Sequence, residues 1–97
     1  MTTQRHVLND TQLENALNEL DGWSVENDKL TKRYKFKTFA HAIGWMMSAA
    51  IVIDKMDHHP EWSNVYNRVT VQLITHDLGN KISSWDVTLA KQLDSLL

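Results

Sequence analysis

The chain has 97 residues with ten basic and twelve acidic side chains, for a formal net charge of −2. This length predicts a single domain over residues 1–97. The charge balance argues against a nucleic-acid-binding surface, which needs a clustered basic face. The one basic run, at 29–37, alternates with apolar residues and is better explained as the solvated face of a strand. Because the chain has no cysteine, disulfides and thiolate metal sites are excluded.

The sequence contains no pattern typical of export or of membrane insertion. Residues 1–10 lack the apolar core of a signal peptide. The longest strongly apolar run, at 42–53, is shorter than the roughly 20 residues that span a bilayer. We therefore expect a soluble, cytoplasmic protein without a membrane partner.

The first half of the chain predicts a helix followed by a hairpin. The helix would begin at residues 11–14 (TQLE), which fit a capping box, and end before Asp21-Gly22. Strands are expected at 23–25 and 30–36, with a turn at 26–28. Leu30, Tyr34 and Phe36 would share one face of the second strand, interrupted only by Lys32.

A long helix over residues 39–55 should follow Thr38. Its apolar residues form two adjacent stripes, and Met47 and Ile51 widen the apolar arc further, so more than one side should be buried. We expect a subunit interface to cover the side that the sheet cannot reach; a helix sandwiched within a monomer is the alternative. The stripes are Phe39, Ile43, Met46, Ala50 and Ile53, and Ala42, Trp45, Ala49, Val52 and Met56.

The second half of the chain predicts two more strands and a last helix. Residues 64–75 read as a strand region, bent or split near Asn67, with Val65 on the same apolar face as Val69, Val71 and Leu73. A loop follows at 77–80, and residues 83–86 open a helix whose inward residues are Val87, Ala90, Leu93 and Leu97. The order α-β-β-α-β-β-α implies an α+β fold, with a four-stranded antiparallel sheet covered by helices on one face.

Titratable side chains are concentrated at residues 54–62 (DKMDHHPEW), between the long helix and the next strand. Nearby carboxylates and the helix C-terminus both favour positive charge at His58 and His59. An unperturbed histidine titrates near pH 6.5, so this segment suits a proton donor. His76 and Asp86 could join it. Simpler explanations are a histidine that caps the helix, an exposed His76 at a strand end, and a capping box formed by Ser83 and Asp86.

Other kinds of site are less well supported by the pattern. Three histidines with carboxylates could bind zinc, although the adjacent pair lacks the i, i+4 spacing that places two imidazoles on one helical face. The three glycines are dispersed and cannot form a phosphate-binding loop or a dinucleotide fingerprint. No nucleophile elbow is present. Acid–base chemistry by histidine is the interpretation that remains.

A composite pattern of fixed spacing runs through the second half of the chain: Asp54, His58-His59-Pro60, Tyr66, His76 and Asp86. Together with the flanking HHPEWSNVYNRVTVQL and THD, it resembles the motif of the pterin-4a-carbinolamine dehydratases, and the resemblance extends from Trp23 to the C-terminus. It implies three helices packed on one face of a four-stranded antiparallel sheet. It also implies the loss of water from a 4a-hydroxytetrahydropterin to give a quinonoid dihydropterin, in tetrahydrobiopterin recycling, without metal or other cofactor.

The resemblance also implies roles for individual residues. His58, His59 and His76 would be catalytic, with His58 and His76 as the acid–base pair and His59 chiefly binding the substrate. Trp62 would form a wall against the pterin ring. The supporting carboxylates would be Asp54, which orients a histidine, together with Asp57 and Asp86. The chain departs from the family at Asp54, where members often carry glutamate, and at 77–84, which lacks an expected glycine pair.

The expected partners are a small pterin substrate and further copies of the chain, joined into a homodimer or homotetramer through helix 39–55. No direct contact with nucleic acid is expected. Some animal members of the family also act as dimerisation cofactors for a homeodomain transcription factor through the same helical surface. That protein-binding role is one alternative function, and a zinc-binding module is another.

Overall fold

One antiparallel sheet covered by three helices forms the fold, in a computed structural model that describes residues 5–97. The elements are α1 (Asp10–Glu19), β1 (Ser24–Glu26), β2 (Lys29–Lys35), α2 (Phe39–Met56), β3 (Glu61–Val65), β4 (Arg68–Leu73), a 3-10 turn (His76–Leu78) and α3 (Ser84–Ser95). The strands lie in the order β1-β2-β4-β3. The predicted fold class and element order are therefore confirmed. Within the described residues, no helix has the length and apolarity needed to cross a bilayer.

Two-residue turns close both hairpins and set which side chains face the helices. Asn27 and Asp28, between β1 and β2, both have positive φ, which suits the right-handed twist of the strands. The β3–β4 turn falls at Tyr66 and Asn67, so the predicted break near Asn67 is confirmed, but β3 begins at residue 61 rather than 64.

The placement of Val65 on the apolar face was wrong. Val65 pairs with Arg68 across the β3–β4 turn, and residues that pair directly across two strands share a face. Arg68 is exposed, and so is Val65, whereas Val69 faces the core. The tight turn therefore reverses the alternation that a single continuous strand would have kept.

The helix ends agree with the predictions in part. α1 begins at Asp10, because Asn9 and Gln12 form the capping box through reciprocal bonds of 2.8 and 2.9 Å. The box predicted at residues 11–14 was therefore wrong. α3 has the predicted box of Ser83 and Asp86. Leu97 is exposed because α3 ends at Ser95, so its inward placement was also wrong.

The core lies between the sheet and α2. Of the two predicted stripes, the one containing Ala42, Trp45 and Ala49 is buried, and Ile53 joins it from the other stripe. Met47 and Ile51 have exposed fractions of 68% and 70%, so this chain alone leaves an apolar strip of α2 uncovered.

A polar cluster lies beside this core. The carboxylate of Asp94 in α3 accepts hydrogen bonds from the Tyr34 hydroxyl at 2.6 Å, the Lys32 ammonium at 2.9 Å and the Trp23 indole N–H at 3.0 Å. This explains Lys32, which interrupts the apolar face of β2. Burial raises the pKa of the Tyr34 hydroxyl far above its ordinary value, and the adjacent Asp94 raises it further.

Because the folded pKa of Tyr34 is raised, its contribution to stability is complete below the unfolded pKa of about 10 and is lost as the pH rises above it. Above that pH, the unfolding free energy of the wild type should therefore fall more steeply with pH than that of Tyr34→Phe, by about 1.4 kcal/mol per pH unit. Urea unfolding between pH 8 and 11 measures both slopes, with Tyr66→Phe as the control for removing an exposed tyrosine. Parallel slopes in wild type and Tyr34→Phe would contradict the burial argument.

Candidate active site

A cavity of about 190 Å³ lies where the segment after α2, the segment after β4 and the N-terminal segment at Arg5 meet. We call it the histidine cavity, because His58, His59 and His76 all line it. Asp57, Ile74 and Thr75 line it as well, together with Arg5 and Asp77. The structure thus brings the two adjacent imidazoles and the distant one to a single opening.

The C-terminal end of α2 orients the side chains of the two adjacent histidines differently. Asp57 has a left-handed backbone conformation (φ 51°), and its N–H donates to the carbonyl of Asp54 at 3.1 Å. The N–H of His58 donates back to the carbonyl of Ile53 at 3.4 Å, which closes the helix end. The His58 side chain is 8% exposed, and that of His59 is 59% exposed.

The imidazole of His58 is held by a hydrogen bond to Asp86. The Nε2 of His58 lies 2.6 Å from Oδ1 of Asp86, which is fully buried. The other oxygen of Asp86 accepts the Thr75 hydroxyl at 2.9 Å and the Ser83 N–H at 2.8 Å. Because an ionised carboxylate only accepts hydrogen bonds, Nε2 carries the proton, and Nδ1 is the nitrogen that can exchange a proton with a ligand. Asp86 therefore caps α3 and also orients His58.

Thr75 and Ser83 complete this network, and the sequence analysis did not identify either of them as a site residue. Thr75 donates to Asp86, so Ser83 must donate its hydroxyl to Thr75 across 2.6 Å. An isolated bridge between Thr75 and Lys81 brings the two segments together. No local pattern signals this contact, since it depends on where the chain returns after the 3-10 turn.

His59 lies at the outer edge of the cavity, among exposed carboxylates. Its Nε2 is 3.4 Å from Oδ1 of Asp54, and its Nδ1 is 4.0 Å from Oδ1 of Asp57. Pairs this exposed contribute little to stability. Asp54 therefore contacts the exposed histidine at long range, and Asp86 holds the buried one.

His76 begins the 3-10 turn that follows β4, whereas the sequence predicted His76 at a strand end and a loop over 77–80. Its Nδ1 lies 2.7 Å from the side-chain oxygen of Asn80, and its Nε2 is 3.9 Å from Oε2 of Glu61. The His76 side chain is 64% exposed. Gly79 and Asn80 both have positive φ, which turns the chain back so that Asn80 faces His76.

Trp85, rather than Trp62, contacts a site histidine. The Trp62 ring lies 6.5 Å from that of Trp45 among the core aromatics and does not line the histidine cavity. Trp85 presents its ring to His58 edge-to-face, with centroids 5.7 Å apart. The role predicted for Trp62, as a wall against the pterin ring, stays a prediction.

Arg5 is a further cavity residue that the sequence analysis missed. Its guanidinium carbon lies 5.0 Å from the centre of the Trp85 ring, and its Nη1 is 3.1 Å from Oδ2 of Asp77. The next residue, His6, is held at the start of α3, because the Ser84 N–H donates to the His6 carbonyl at 3.0 Å. Nothing in the local sequence signals this placement.

Metal binding has no ligand set in the described residues. Across 5–97, no group of three or more histidine, aspartate or glutamate side chains is arranged so that it could hold an ion. The zinc-binding alternative therefore gains no support from this part of the chain.

Comparison with known proteins assigns the chain to a family. The chain matches the family model for pterin 4 alpha carbinolamine dehydratase over residues 6–96. Proteins from Solibacter usitatus and Opitutus terrae, which carry the provisional name pterin-4-alpha-carbinolamine dehydratase, are 48% identical over 96 residues and 43% identical over 90. These alignments cover 99% of this chain and 97% of the first relative, and 93% of both chains for the second.

Two solved structures share the fold. One, from Brucella melitensis and described as a transcriptional coactivator/pterin dehydratase, has a TM-score of 0.89 and 39% identity, covering 94% of this chain and 98% of its own. The other is a pterin dehydratase-like RuBisCO assembly factor of the alpha-carboxysome, with a TM-score of 0.62 and 20% identity, covering 76% and 84%. At that identity the second likeness concerns the fold alone. The match over residues 6–96 and the relatives above 40% identity show that this chain belongs to the pterin-4a-carbinolamine dehydratase family.

Proposed function

We propose that this chain dehydrates a 4a-hydroxytetrahydropterin to the quinonoid dihydropterin. The observation that carries the proposal is a buried His58–Asp86 pair at a cavity that His59 and His76 also line. At about 190 Å³ the cavity is smaller than the roughly 300–1,000 Å³ of pockets for drug-sized ligands, as expected for a bicyclic ring alone.

Proton transfer is the main catalytic requirement of this reaction. Hydroxide is a poor leaving group, so the oxygen on C4a must gain a proton as its bond to carbon breaks. The electron pair of N5 forms the new C=N bond, and a ring-nitrogen proton is lost, which leaves one water and a neutral quinonoid product. Positioned acids and bases typically accelerate such steps by about 10²–10⁴-fold.

The geometry suggests how the work is divided. His58 acts from the buried side, where Asp86 fixes its tautomer and its ring orientation. His76 acts from the opening and is oriented by Asn80. His59 binds substrate at the outer edge, and the exposed carboxylate of Asp57 can accept hydrogen bonds from the N–H groups of the pterin. The same proposal includes a role in tetrahydropterin recycling, a cytoplasmic location and no cofactor.

Replacing either proton-transferring histidine tests the reaction directly. His58→Gln and His76→Gln should each lower kcat/KM for dehydration by roughly 10²–10⁴-fold, because glutamine cannot donate or accept the proton. The assay is stopped-flow absorbance on a chemically generated 4a-hydroxytetrahydropterin. His41→Gln makes the same substitution on an exposed part of α2 and should retain the wild-type rate. Wild-type rates in both site variants would refute the proposal.

Asp86 should affect both stability and turnover. In Asp86→Asn, the amide nitrogen is a donor and would face groups that themselves donate to the wild-type carboxylate. The substitution should therefore lower kcat more than it alters KM, and it should lower the unfolding free energy by about 1–3 kcal/mol. Ser83→Ala is the matched control, because it removes the capping hydroxyl and its bond to Thr75 but leaves the Asp86 carboxylate on His58, at about 0.5–2 kcal/mol. Equal kcat losses in the two variants, measured beside urea unfolding, would mean that Asp86 acts only as a cap.

We also propose that two copies of the chain pair through α2. Met47 and Ile51 lie one helical turn apart on the exposed strip, and a Cβ added at Gly44 would meet no atom within 4 Å, so a second helix could approach closely there. A twofold axis would match identical strips in a self-complementary interface. The alternative role, binding a transcription factor, would use this same surface.

Charge on the strip should separate the copies. Met47→Glu should shift the sedimentation profile toward the monomer, because it would bury an unpaired carboxylate at the interface. Gln92→Glu adds the same charge on exposed α3 and should leave the profile unchanged. Met46 is a poorer target, since it packs partly into the core. An unaltered profile for Met47→Glu would remove α2 as the interface.

A further inference from the structure

The segment that precedes α1 lies along the start of α3 and reaches the histidine cavity at Arg5. Val7 and Ser83 form an isolated antiparallel bridge, and the N–H of Leu8 donates to the carbonyl of Ile82 at 3.1 Å. These backbone contacts between two distant parts of the chain fix the direction of the segment. The side chain of Arg5 therefore enters the cavity from a defined position.

The guanidinium of Arg5 connects two walls of the histidine cavity. On one side its central carbon lies 5.0 Å from the centre of the Trp85 ring, and Trp85 in turn contacts His58 edge-to-face. On the other side its Nη1 donates to Oδ2 of Asp77 at 3.1 Å, and Asp77 directly follows His76 in the 3-10 turn. One cation thus links the neighbours of both histidines in the proposed acid–base pair.

His76 depends on such a link because its other close side-chain bond lies within its own loop. The bridge between Thr75 and Lys81 closes that loop at its base, and the bond from His76 to Asn80 is made inside it. This bond orients the imidazole relative to the turn, but it does not hold the turn against α3. The guanidinium of Arg5 bonds the turn from outside the loop and so ties it to α3.

We propose that Arg5 is a positioning residue that holds His58 and His76 at a fixed separation across the cavity; this rests on the proposed function. Its two contacts should contribute little to the stability of the whole fold, since exposed ion pairs and exposed cation–π contacts are individually weak. Their effect on the reaction is expected to be larger, because a misplacement of about 1 Å can cost about 10²-fold in rate. Arg5 should therefore matter more to turnover than to folding.

Steady-state kinetics of dehydration by Arg5→Gln is the first test. We expect kcat to fall by about tenfold and KM to change by less than about twofold, because the variant misplaces a proton-transferring group but keeps the groups that bind substrate. Arg5→Lys should lose only about threefold, since lysine can still pair with Asp77 but lacks the planar guanidinium that also lies over Trp85. Lys91→Gln removes another exposed ion pair, with Glu19 at 3.0 Å, and should keep both constants at their wild-type values.

A double-mutant cycle shows whether Arg5 acts through the turn. Asp77→Ala removes the same bond from its other end, so combining it with Arg5→Gln should lower kcat no further than the more impaired single variant. Losses that multiply in the double variant would mean that the two side chains act separately and would overturn the inference. So would a wild-type kcat in Arg5→Gln, or a raised KM with kcat unchanged, because Arg5 would then bind substrate rather than position the histidines.

Magnetic resonance of the imidazoles separates this inference from the proposed function. In protein labelled with ¹⁵N at histidine, Arg5→Gln should shift the ring signals of both His58 and His76, and Lys91→Gln should shift neither. His58→Gln and His76→Gln assign these signals. Unshifted signals in Arg5→Gln would overturn the inference even if the wild type is an active dehydratase. Shifted signals in a protein that does not dehydrate the pterin would refute the proposed function and leave the link between the histidines intact.

Discussion

The contact between His58 and Asp86 is the interaction on which the rest of the site depends. It joins the end of α2 to the start of α3, and through Thr75 it also fixes the chain just after β4. A buried carboxylate is costly unless it is fully hydrogen-bonded, and Asp86 meets that condition with a histidine, a hydroxyl and a backbone N–H. The same bonds that make its burial tolerable hold one imidazole at the cavity in a defined tautomer.

The histidines differ in setting, and this suits different tasks. His58 is enclosed and rigidly bonded, whereas His59 and His76 lie toward the opening, where a ligand can reach them from outside. A buried, oriented group can act on the reacting atoms with little reorganisation, and exposed groups can adjust as a substrate enters. The bond to Asn80 restricts the movement of the His76 side chain, whereas the longer contact with Asp54 restricts the His59 side chain less.

The fold was predictable from the sequence where periodicity and turn composition agree. The alternation in β2, the apolar stripe of α2 and the Ser83–Asp86 box all correspond to real elements. Val65 was misplaced because a tight turn reverses strand alternation, which the sequence around Asn67 indicates only as a break.

The gathering of the three histidines followed from the element order together with the family motif. Arg5, Thr75 and Trp85 were missed because their positions depend on contacts between distant segments. Asp86 had two competing explanations in the sequence, a capping box and a catalytic role; the structure shows the capping box and a hydrogen bond to His58, and the catalytic role stays a prediction.

The left-handed conformation of Asp57 has a consequence for how this domain can be altered. A residue other than glycine in that region carries strain on the order of 1 kcal/mol. Asp57 also places a carboxylate at the histidine cavity. Glycine there would relieve the backbone strain and stabilise the helix end, but it would remove the carboxylate that we propose as a hydrogen-bond acceptor for the pterin. Position 57 is thus one at which thermal stability and the proposed binding of substrate favour different residues.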